Sequence, residues 1–215
     1  MIIAIDGPAA SGKGTLAKRL ADYFGFAHLD TGALYRAVAL SVLRADEDPS
    51  DAETAGRHAR ELDTAMINDA AIRSAEAGAA ASKVAAVTEV RTALLEFQRQ
   101  FAENPPDSKS GAVLDGRDIG TVVYPAANQK IFVIADLEIR AKRRFKELLD
   151  RGEAAIYARV LDDLKERDER DASRSDAPMR QAHDALLLDT THLDPDMTFT
   201  NALNFVESRM GSRAT

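Results

Sequence analysis

The chain has 215 residues, room for one α/β core with an inserted segment, and its 45% hydrophobic composition is ordinary for a globular protein. Its formal net charge of −7 argues against nucleic acid as a partner, because duplex binding requires a basic surface. The absence of cysteine excludes disulfides, thiolate metal sites and cysteine nucleophiles. The sequence has no signal peptide and no apolar run long enough to span a membrane, so we expect a cytoplasmic protein without membrane contact.

The first 40 residues follow the pattern of a strand, a glycine turn, a helix, a second strand and a second helix. Residues 1–6 form a short apolar run that ends at Gly7. Residues 13–24 carry apolar side chains at helical spacing before Gly25, and residues 26–30 resemble another strand. Thr31 is a candidate N-cap for the helix that follows. This order predicts the opening of a parallel sheet built from βαβ units.

Residues 45–108 differ in character from the rest of the chain, and we interpret them as an insertion into a main domain formed by residues 1–44 and 109–215. The segment of residues 62–73 is short, and apolar and polar residues alternate little along it, which leaves little room for strands in the insertion. The other predicted segments are a loop at 46–51, an alanine-rich helix at 70–86 interrupted by Gly78, an amphipathic helix at 91–101 and a linker at 104–111.

The main domain resumes with further strand and helix patterns. Asp194 followed by Pro195 is a typical helix start. Gly152 separates two charged helices, which we interpret as a lid around residues 140–175. The predicted elements are strands at 112–115, 131–135 and 185–188, and helices at 137–150 and 155–171.

A phosphate-binding loop lies between the first strand and the first helix. Gly7, Gly12 and Lys13 have the Gly-x4-Gly-Lys spacing of a P-loop, in the strand–loop–helix context that the motif requires. Glycines let backbone N–H groups approach phosphates, and the helix N-terminus and the lysine add positive charge. Gly14 occupies the place of the usual hydroxyl residue, so Thr15 becomes the candidate ligand for Mg²⁺ bound with ATP. The predicted ATP-binding residues are Gly7, Pro8, Ala9, Ala10, Ser11, Gly12, Lys13, Gly14 and Thr15.

Two arginines indicate a second phosphate near this loop. Arg36 lies one turn into the second helix, and Arg117 follows a predicted strand at the carboxyl end of the sheet, where open α/β sheets bind ligands. A planar guanidinium holds phosphate oxygens in pairs. Either arginine alone would suit a surface salt bridge, but the two together with a P-loop favour an anion site.

Four segments in order along the chain resemble bacterial cytidylate kinase, a family of P-loop nucleoside monophosphate kinases. The resemblance implies a three-layer α/β fold with a five-stranded parallel sheet, an inserted region that binds the nucleoside monophosphate, and a helical lid. It also implies a monomer that transfers the γ-phosphate of ATP to CMP or dCMP. The segments are residues 7–15, 30–36, 115–123 and 165–171.

The same resemblance implies roles for residues at the acceptor site. Arg36 and Arg117 match arginines that hold the acceptor phosphate, and Thr31 matches a hydroxyl that helps them. Asp171 matches the carboxylate that binds the ribose, with Arg167 beside it and Arg174 reaching phosphate; spacing alone would place these three on one helix face. The residues that match readers of the cytosine edge are Ser82, Arg91 and Asp118. Cytosine offers an amine that Asp118 or Ser82 can accept from, and acceptors to which Arg91 can donate.

The implied reaction needs no general base, because the acceptor oxygen is already anionic and catalysis rests on positioning and charge. We therefore assign the catalytic roles to Lys13, Arg36 and Arg117. Two other hypotheses stay open at this stage: a P-loop kinase with another acceptor, such as AMP, UMP or a non-nucleotide, and a nucleotide-binding switch. The sequence has no Asn-Lys-x-Asp segment of the kind that reads guanine in switch proteins. Arg140, Arg143 and Arg144 remain open between lid and surface.

Overall fold

Five parallel strands form the centre of the protein in the computed structural model, which describes residues 1–211. Their order across the sheet is β2-β3-β1-β4-β5, and every neighbouring pair is parallel. This confirms the predicted α/β class and the count of five parallel strands. The strands are β1 (Ile2–Asp6), β2 (Ala27–Asp30), β3 (Ala112–Gly116), β4 (Gln129–Ile134) and β5 (Leu186–Asp189).

Helices cover both faces of the sheet because the central strand is apolar on both sides. In β1, Ile3 and Ile5 pack against α1 and α8, whereas Ala4 packs on the opposite side with residues of α2, α4 and α5. None of the helices within residues 1–211 is long and apolar enough to cross a membrane. The helices are α1 (Lys13–Phe24), α2 (Thr31–Arg44), α3 (Ala52–Arg60), α4 (Ala75–Val84), α5 (Thr88–Glu103), α6 (Leu137–Asp150), α7 (Tyr157–Ser173) and α8 (Pro195–Gly211).

The start of α2 corrects one sequence prediction. Asp30, not Thr31, is the N-cap, and its carboxylate accepts a hydrogen bond from the Ala33 backbone N–H at 3.2 Å. Thr31 is the first helical residue, and its hydroxyl donates to the Asp115 backbone carbonyl at 2.8 Å. The cap prediction is wrong by one residue because both residues are good caps, and pairing with β3 holds Asp30 in extended backbone.

Residues 45–108 are helical throughout their regular structure, and the structure describes all of them. The expectation of few strands in this segment is confirmed, since it contains none. Two boundaries differ from prediction. The loop after α2 leads into α3, which the sequence analysis missed, and the predicted 70–86 helix is a 3₁₀ turn (Ala70–Arg73) followed by α4, which Ser74 caps. Gly78 lies within α4 and does not interrupt it.

The charged helices α6 and α7 pack against each other through Ala141, Leu148, Val160 and Leu164. Gly152 lies in the turn between them with a φ of 75°, a backbone conformation that favours glycine. Helix α7 ends at Ser173, and Arg174 has left the helical conformation. The prediction that Arg174 shares a helix face with Arg167 and Asp171 is therefore wrong, although its side chain turns back to Asp171.

Candidate active site

The turn after β1 depends on a close approach of two backbones. Gly7 has a φ of 147°, and a Cβ there would lie 2.1 Å from the Val133 carbonyl oxygen of β4. Gly12, with a φ of 91°, precedes the first residue of α1. These glycines allow the chain to fold tightly between the strand and the helix, so that the N-terminus of α1 points at the inside of the loop.

Lys13 is buried under this loop, and its Nζ donates to the Pro8 carbonyl at 3.2 Å. Burial and the nearby Arg117 guanidinium lower the pKa of Lys13 to about 7, although the carboxylates of Asp115 and Asp30 act in the opposite direction. A bound phosphate would place further negative charge beside the amine. It would therefore favour the charged form of Lys13 and raise its pKa.

A polar cavity of 360 Å³ opens between the sheet edge, α4 and the α6–α7 pair. We call it the arginine cavity, because eight arginines and Lys13 line it against only five carboxylates. This surplus of positive charge suits a small ligand with phosphate groups. All nine residues that the resemblance implied for the acceptor lie in its wall: Thr31, Arg36, Ser82, Arg91, Arg117, Asp118, Arg167, Asp171 and Arg174.

Asp171 is the anionic centre of the arginine cavity. Its Oδ2 accepts from the Arg117 Nε at 2.8 Å and lies 3.9 Å from the Arg167 Nε, and its Oδ1 accepts from Arg174. Burial opposes the charge of Asp171, but Arg117 and Arg174 outweigh it and hold the pKa of this carboxyl below its ordinary value. Burial and the neighbouring Arg117 lower the pKa of Arg167 to about 10. The cluster is therefore a fixed array of charges with three guanidinium groups around one carboxylate.

A second buried pair forms another part of the wall. The Arg91 guanidinium donates to the Asp118 carboxylate at 2.5 Å and lies over the Tyr35 ring, 5.9 Å from its centroid. Burial raises the pKa of Asp118, although Arg91 partly offsets it. Ser82, on α4, accepts a hydrogen bond from Arg170 of α7 at 2.7 Å. These side chains present donors and acceptors to a planar ligand in a site where an unpaired polar group is costly.

Thr31 and Arg36 lie on the sheet side of the arginine cavity. The Arg36 guanidinium donates to the Asp30 carboxylate at 2.6 Å, while its buried Nε has no hydrogen-bond partner. The buried Nε atoms of Arg167 and Arg174 also have none. Buried donors without partners are rare in folded proteins, and here three of them belong to arginines of one cavity.

A second cavity, of 450 Å³, runs along the P-loop and the start of α8. We call it the P-loop cavity. It contains Ser11, Gly12, Gly14 and Thr15, and it shares Ala10, Lys13 and Glu147 with the arginine cavity. The two cavities therefore meet at the buried lysine, so that a ligand in each would bring two phosphate groups to the same amine.

Comparison with known proteins gives the family of this chain. The family model described as Cytidylate kinase matches residues 3–208. The chain belongs to the cytidylate kinase family. A protein named Cytidylate kinase from Paramagnetospirillum magneticum is 56% identical over 208 residues, with 97% of this chain and 98% of that protein covered. Another of that name from Rhodopseudomonas palustris is 56% identical over 214 residues and covers 99% of both chains.

A solved structure supports the fold alone. An uncharacterized protein from Eubacterium ventriosum superposes with a TM-score of 0.57 over 97% of this chain and 98% of that one, at 17% sequence identity. The family membership confirms the resemblance on which the sequence analysis relied, and with it the classification of this chain as a phosphotransferase.

The structure also gives contacts to two polar residues of this cytidylate kinase family member, of which the sequence analysis missed one and left the other open. Asp6, at the end of β1, accepts from the backbone N–H groups of Ile119 and Gly120, both at 2.8 Å, and so fixes the turn that follows Asp118. Burial raises the pKa of Asp6 to about 7. A carboxylate at the end of a strand beside a P-loop is the only signal that could have indicated this contact.

The second is Arg140, which the sequence analysis left open between lid and surface. It is buried, and it donates to the carbonyls of Ala135 and Ala9 and to the Asp168 carboxylate at 2.6 Å. It therefore joins the P-loop to α7. Arg143 donates to Thr190 beside the P-loop cavity, and Arg144 pairs with Glu147 in the wall of the arginine cavity.

Proposed function

We propose that this protein transfers the γ-phosphate of ATP to CMP or dCMP, giving ADP and CDP or dCDP, in the pyrimidine nucleotide metabolism of the cytoplasm. The observation that carries the proposal is the meeting of the P-loop cavity and the arginine cavity at Lys13, in a chain of the cytidylate kinase family. We further propose a monomer that acts on small molecules alone, since the net charge of −7 disfavours nucleic acid.

ATP is assigned to the P-loop cavity. The backbone N–H groups of residues 9–15 and the N-terminus of α1 face the β- and γ-phosphates in this arrangement, and Lys13 adds a full charge where the two cavities join. These contacts are made to oxygens that gain charge during transfer, so they act on the transition state as well as on binding.

CMP is assigned to the arginine cavity. Arg36, Arg117 and Thr31 hold its phosphate, with Arg174 reaching the same group. Asp171 binds the ribose hydroxyls beside Arg167. Ser82, Arg91 and Asp118 read the cytosine edge, and the buried position of these three side chains would leave polar groups unpaired around a wrong base.

The reaction itself requires little proton chemistry. The acceptor oxygen of CMP is anionic at neutral pH, so the residues need only align it with the γ-phosphorus and neutralise charge. In our assignment Lys13, Arg36 and Arg117 do this from both sides of the transferred group. Helices α6 and α7, as part of a lid over residues 140–175, exclude water that would otherwise hydrolyse ATP.

We propose that Mg²⁺ binds together with ATP. The residues described, 1–211, contain no cluster of three His, Cys, Asp or Glu side chains that could hold a metal ion alone, which favours an ion held largely by phosphate oxygens. The hydroxyl of Thr15, exposed in the first turn of α1 at the P-loop cavity, is a hard oxygen donor of the kind Mg²⁺ prefers. The ion would supply neutralisation of charge on the β- and γ-phosphates.

The domain assignment follows the two ligands. We propose that residues 1–44 and 109–215 form the core that binds ATP, and that residues 45–108 form the region that binds the nucleoside monophosphate. The support is that Ser82 and Arg91, both in this inserted region, lie in the wall of the arginine cavity.

An acceptor screen tests the proposed function. ADP release would be measured by a coupled assay with ATP and Mg²⁺, with CMP, dCMP, UMP, AMP and shikimate offered separately and no acceptor as the control. We expect strong turnover with CMP and dCMP and little with the others. Turnover confined to another acceptor would retain the assignment of ATP and refute that of cytosine.

A further inference from the structure

Helix α7 contacts the inserted region through a side chain that does not itself line the arginine cavity. The Arg170 guanidinium donates to the Ser82 hydroxyl oxygen at 2.7 Å, across 88 residues of sequence. Arg170 lies outside the cavity wall, whereas Ser82 and the next residue of α7, Asp171, lie in it. The contact therefore joins Ser82, which is assigned to the cytosine base of CMP, with helix α7, whose Asp171 is assigned to the ribose.

The contact with Arg170 determines which hydrogen bonds the Ser82 hydroxyl can still make. A guanidinium can only donate hydrogen bonds, so the Ser82 hydroxyl must accept from Arg170. One lone pair is then used, and the hydroxyl proton and the second lone pair are left for the cavity. Because Ser82 is only 3% exposed and its contact is charge-assisted, the oxygen is held more firmly than a serine with a neutral partner.

The alternative role for Arg170 is that of a solvated charge on a polar helix. That role predicts a side chain directed to water or to a carboxylate on its own helix, as for Arg144 and Glu147 of α6. The hydrogen bonds of the described residues place Arg170 on a neutral hydroxyl of another element instead. A charged group that is only half-exposed and bonded to a neutral hydroxyl provides little general stability, which favours a role at the ligand site.

We propose that Arg170 is a positioning residue for base recognition, which holds the Ser82 hydroxyl at the arginine cavity and couples the inserted region to α7. The proposal rests on the proposed function, because Ser82 is taken to face the cytosine. Arg170 does not touch the substrate; it acts through Ser82. Loss of the Arg170 side chain should therefore weaken the binding of CMP and reduce the discrimination of CMP from UMP. The binding of ATP should stay unchanged.

Steady-state kinetics of Arg170→Met, Ser82→Ala and the double variant test this proposal. Arg159→Met is the matched control, because Arg159 is an exposed arginine on the same helix. For Arg170→Met we expect KM for CMP to rise about ten-fold, with KM for ATP and the melting temperature close to those of the control. The preference for CMP over UMP in kcat/KM should fall by a similar factor.

The double variant gives the decisive comparison. If Arg170 acts through Ser82, the double variant should have the same KM for CMP as Ser82→Ala within about two-fold, because the second change removes nothing more. Independent, multiplying effects would overturn the proposal, as would an unchanged KM for CMP or an equal rise in KM for ATP. Absence of turnover with CMP in the unsubstituted protein would instead refute the proposed function.

Discussion

The ionisation of Lys13 links nucleotide binding to pH. Its pKa of about 7 lies well below the ordinary lysine value because the side chain is buried near Arg117. Bound phosphates favour the charged amine and should raise this pKa again. At about pH 8 most of the free protein has a neutral Lys13, so ATP binding should take up close to one proton, and affinity for ATP should fall as the pH rises above 7.

Calorimetry in two buffers of different ionisation enthalpy measures this uptake directly. The binding enthalpy of ATP should differ between the buffers at about pH 8 and converge at about pH 6, where Lys13 is already protonated. Lys13→Arg is the control, because a guanidinium stays charged throughout this range and should take up no proton. An enthalpy independent of buffer at the higher pH would contradict a neutral Lys13 in the free protein at that pH.

A substitution of the single residue Asp171 should affect the binding of CMP and of ATP differently. Its carboxylate accepts hydrogen bonds from Arg117 and Arg174 and lies 3.9 Å from the Arg167 Nε, and the assignment gives it the ribose of CMP. Asp171→Asn should raise KM for CMP by about ten-fold or more and KM for ATP by much less. It should also lower the melting temperature, because three partly buried cations lose their counter-charge.

Asp163→Asn serves as the matched control for Asp171→Asn, since Asp163 is exposed on the same helix, α7. This control should leave both KM values and the melting temperature unchanged. If Asp171→Asn raised both KM values equally, the carboxylate would have a structural role in the cluster and no particular role toward CMP.

At the scale of elements, the P-loop depends on the contact of β1 with β4. Gly7→Ala would place a Cβ 2.1 Å from the Val133 carbonyl oxygen at a backbone φ that disfavours side chains. We expect a loss of about 3 kcal/mol or more in the free energy of unfolding, measured by chemical denaturation.

Gly14→Ala is the control within the same loop. Its Cβ would lie 3.7 Å from the nearest atom, an Asp115 carboxylate oxygen, and Gly14 already has helical surroundings in α1. This variant should be as stable as the original chain or slightly more so. Equal destabilisation by both substitutions would contradict the view that backbone contact, and not the loop sequence as such, requires Gly7.

The elements that the sequence predicts well are those with a strong local signal. The run Ile2–Asp6 followed by Gly7 and the helix from Lys13 could be placed from pattern alone. Helix α3 was missed because its buried face consists of the small residues Ala55, Gly56 and Ala59, with none of the large apolar side chains that usually mark a core-facing helix. That helix owes its stability to packing on α5, close enough for a Gly56 Cβ to meet Glu89.

At the scale of the whole molecule, the candidate site is assembled by long-range contacts. The P-loop is continuous in sequence and was predicted as a unit, and the nine acceptor residues were predicted through the family resemblance. The bonds that hold them, such as Arg117 to Asp171 and Arg170 to Ser82, join residues 54 and 88 positions apart. No local pattern indicates such pairs, because only the packing of α7 against the turn after β3 and against the inserted region brings them together.

The inserted region and helix α6 are also in contact at a second point in the molecule. Arg151, at the end of α6, donates to the Arg73 carbonyl in the inserted region at 3.1 Å, and both residues line the arginine cavity. A ligand in this cavity is therefore enclosed by the inserted region, the α6–α7 pair and the sheet edge, an arrangement that favours transfer to the acceptor over transfer to water.

The most direct test of the central claim is a ³¹P NMR measurement of the products formed from ATP, CMP and Mg²⁺. We predict that ADP and CDP appear in equal amounts without free phosphate, and that Lys13→Met, which removes the charge where the two cavities meet, abolishes both signals while the protein stays folded. ADP accompanied by free phosphate, with CMP unchanged, would show hydrolysis in place of transfer and would contradict the assignment of the arginine cavity to CMP.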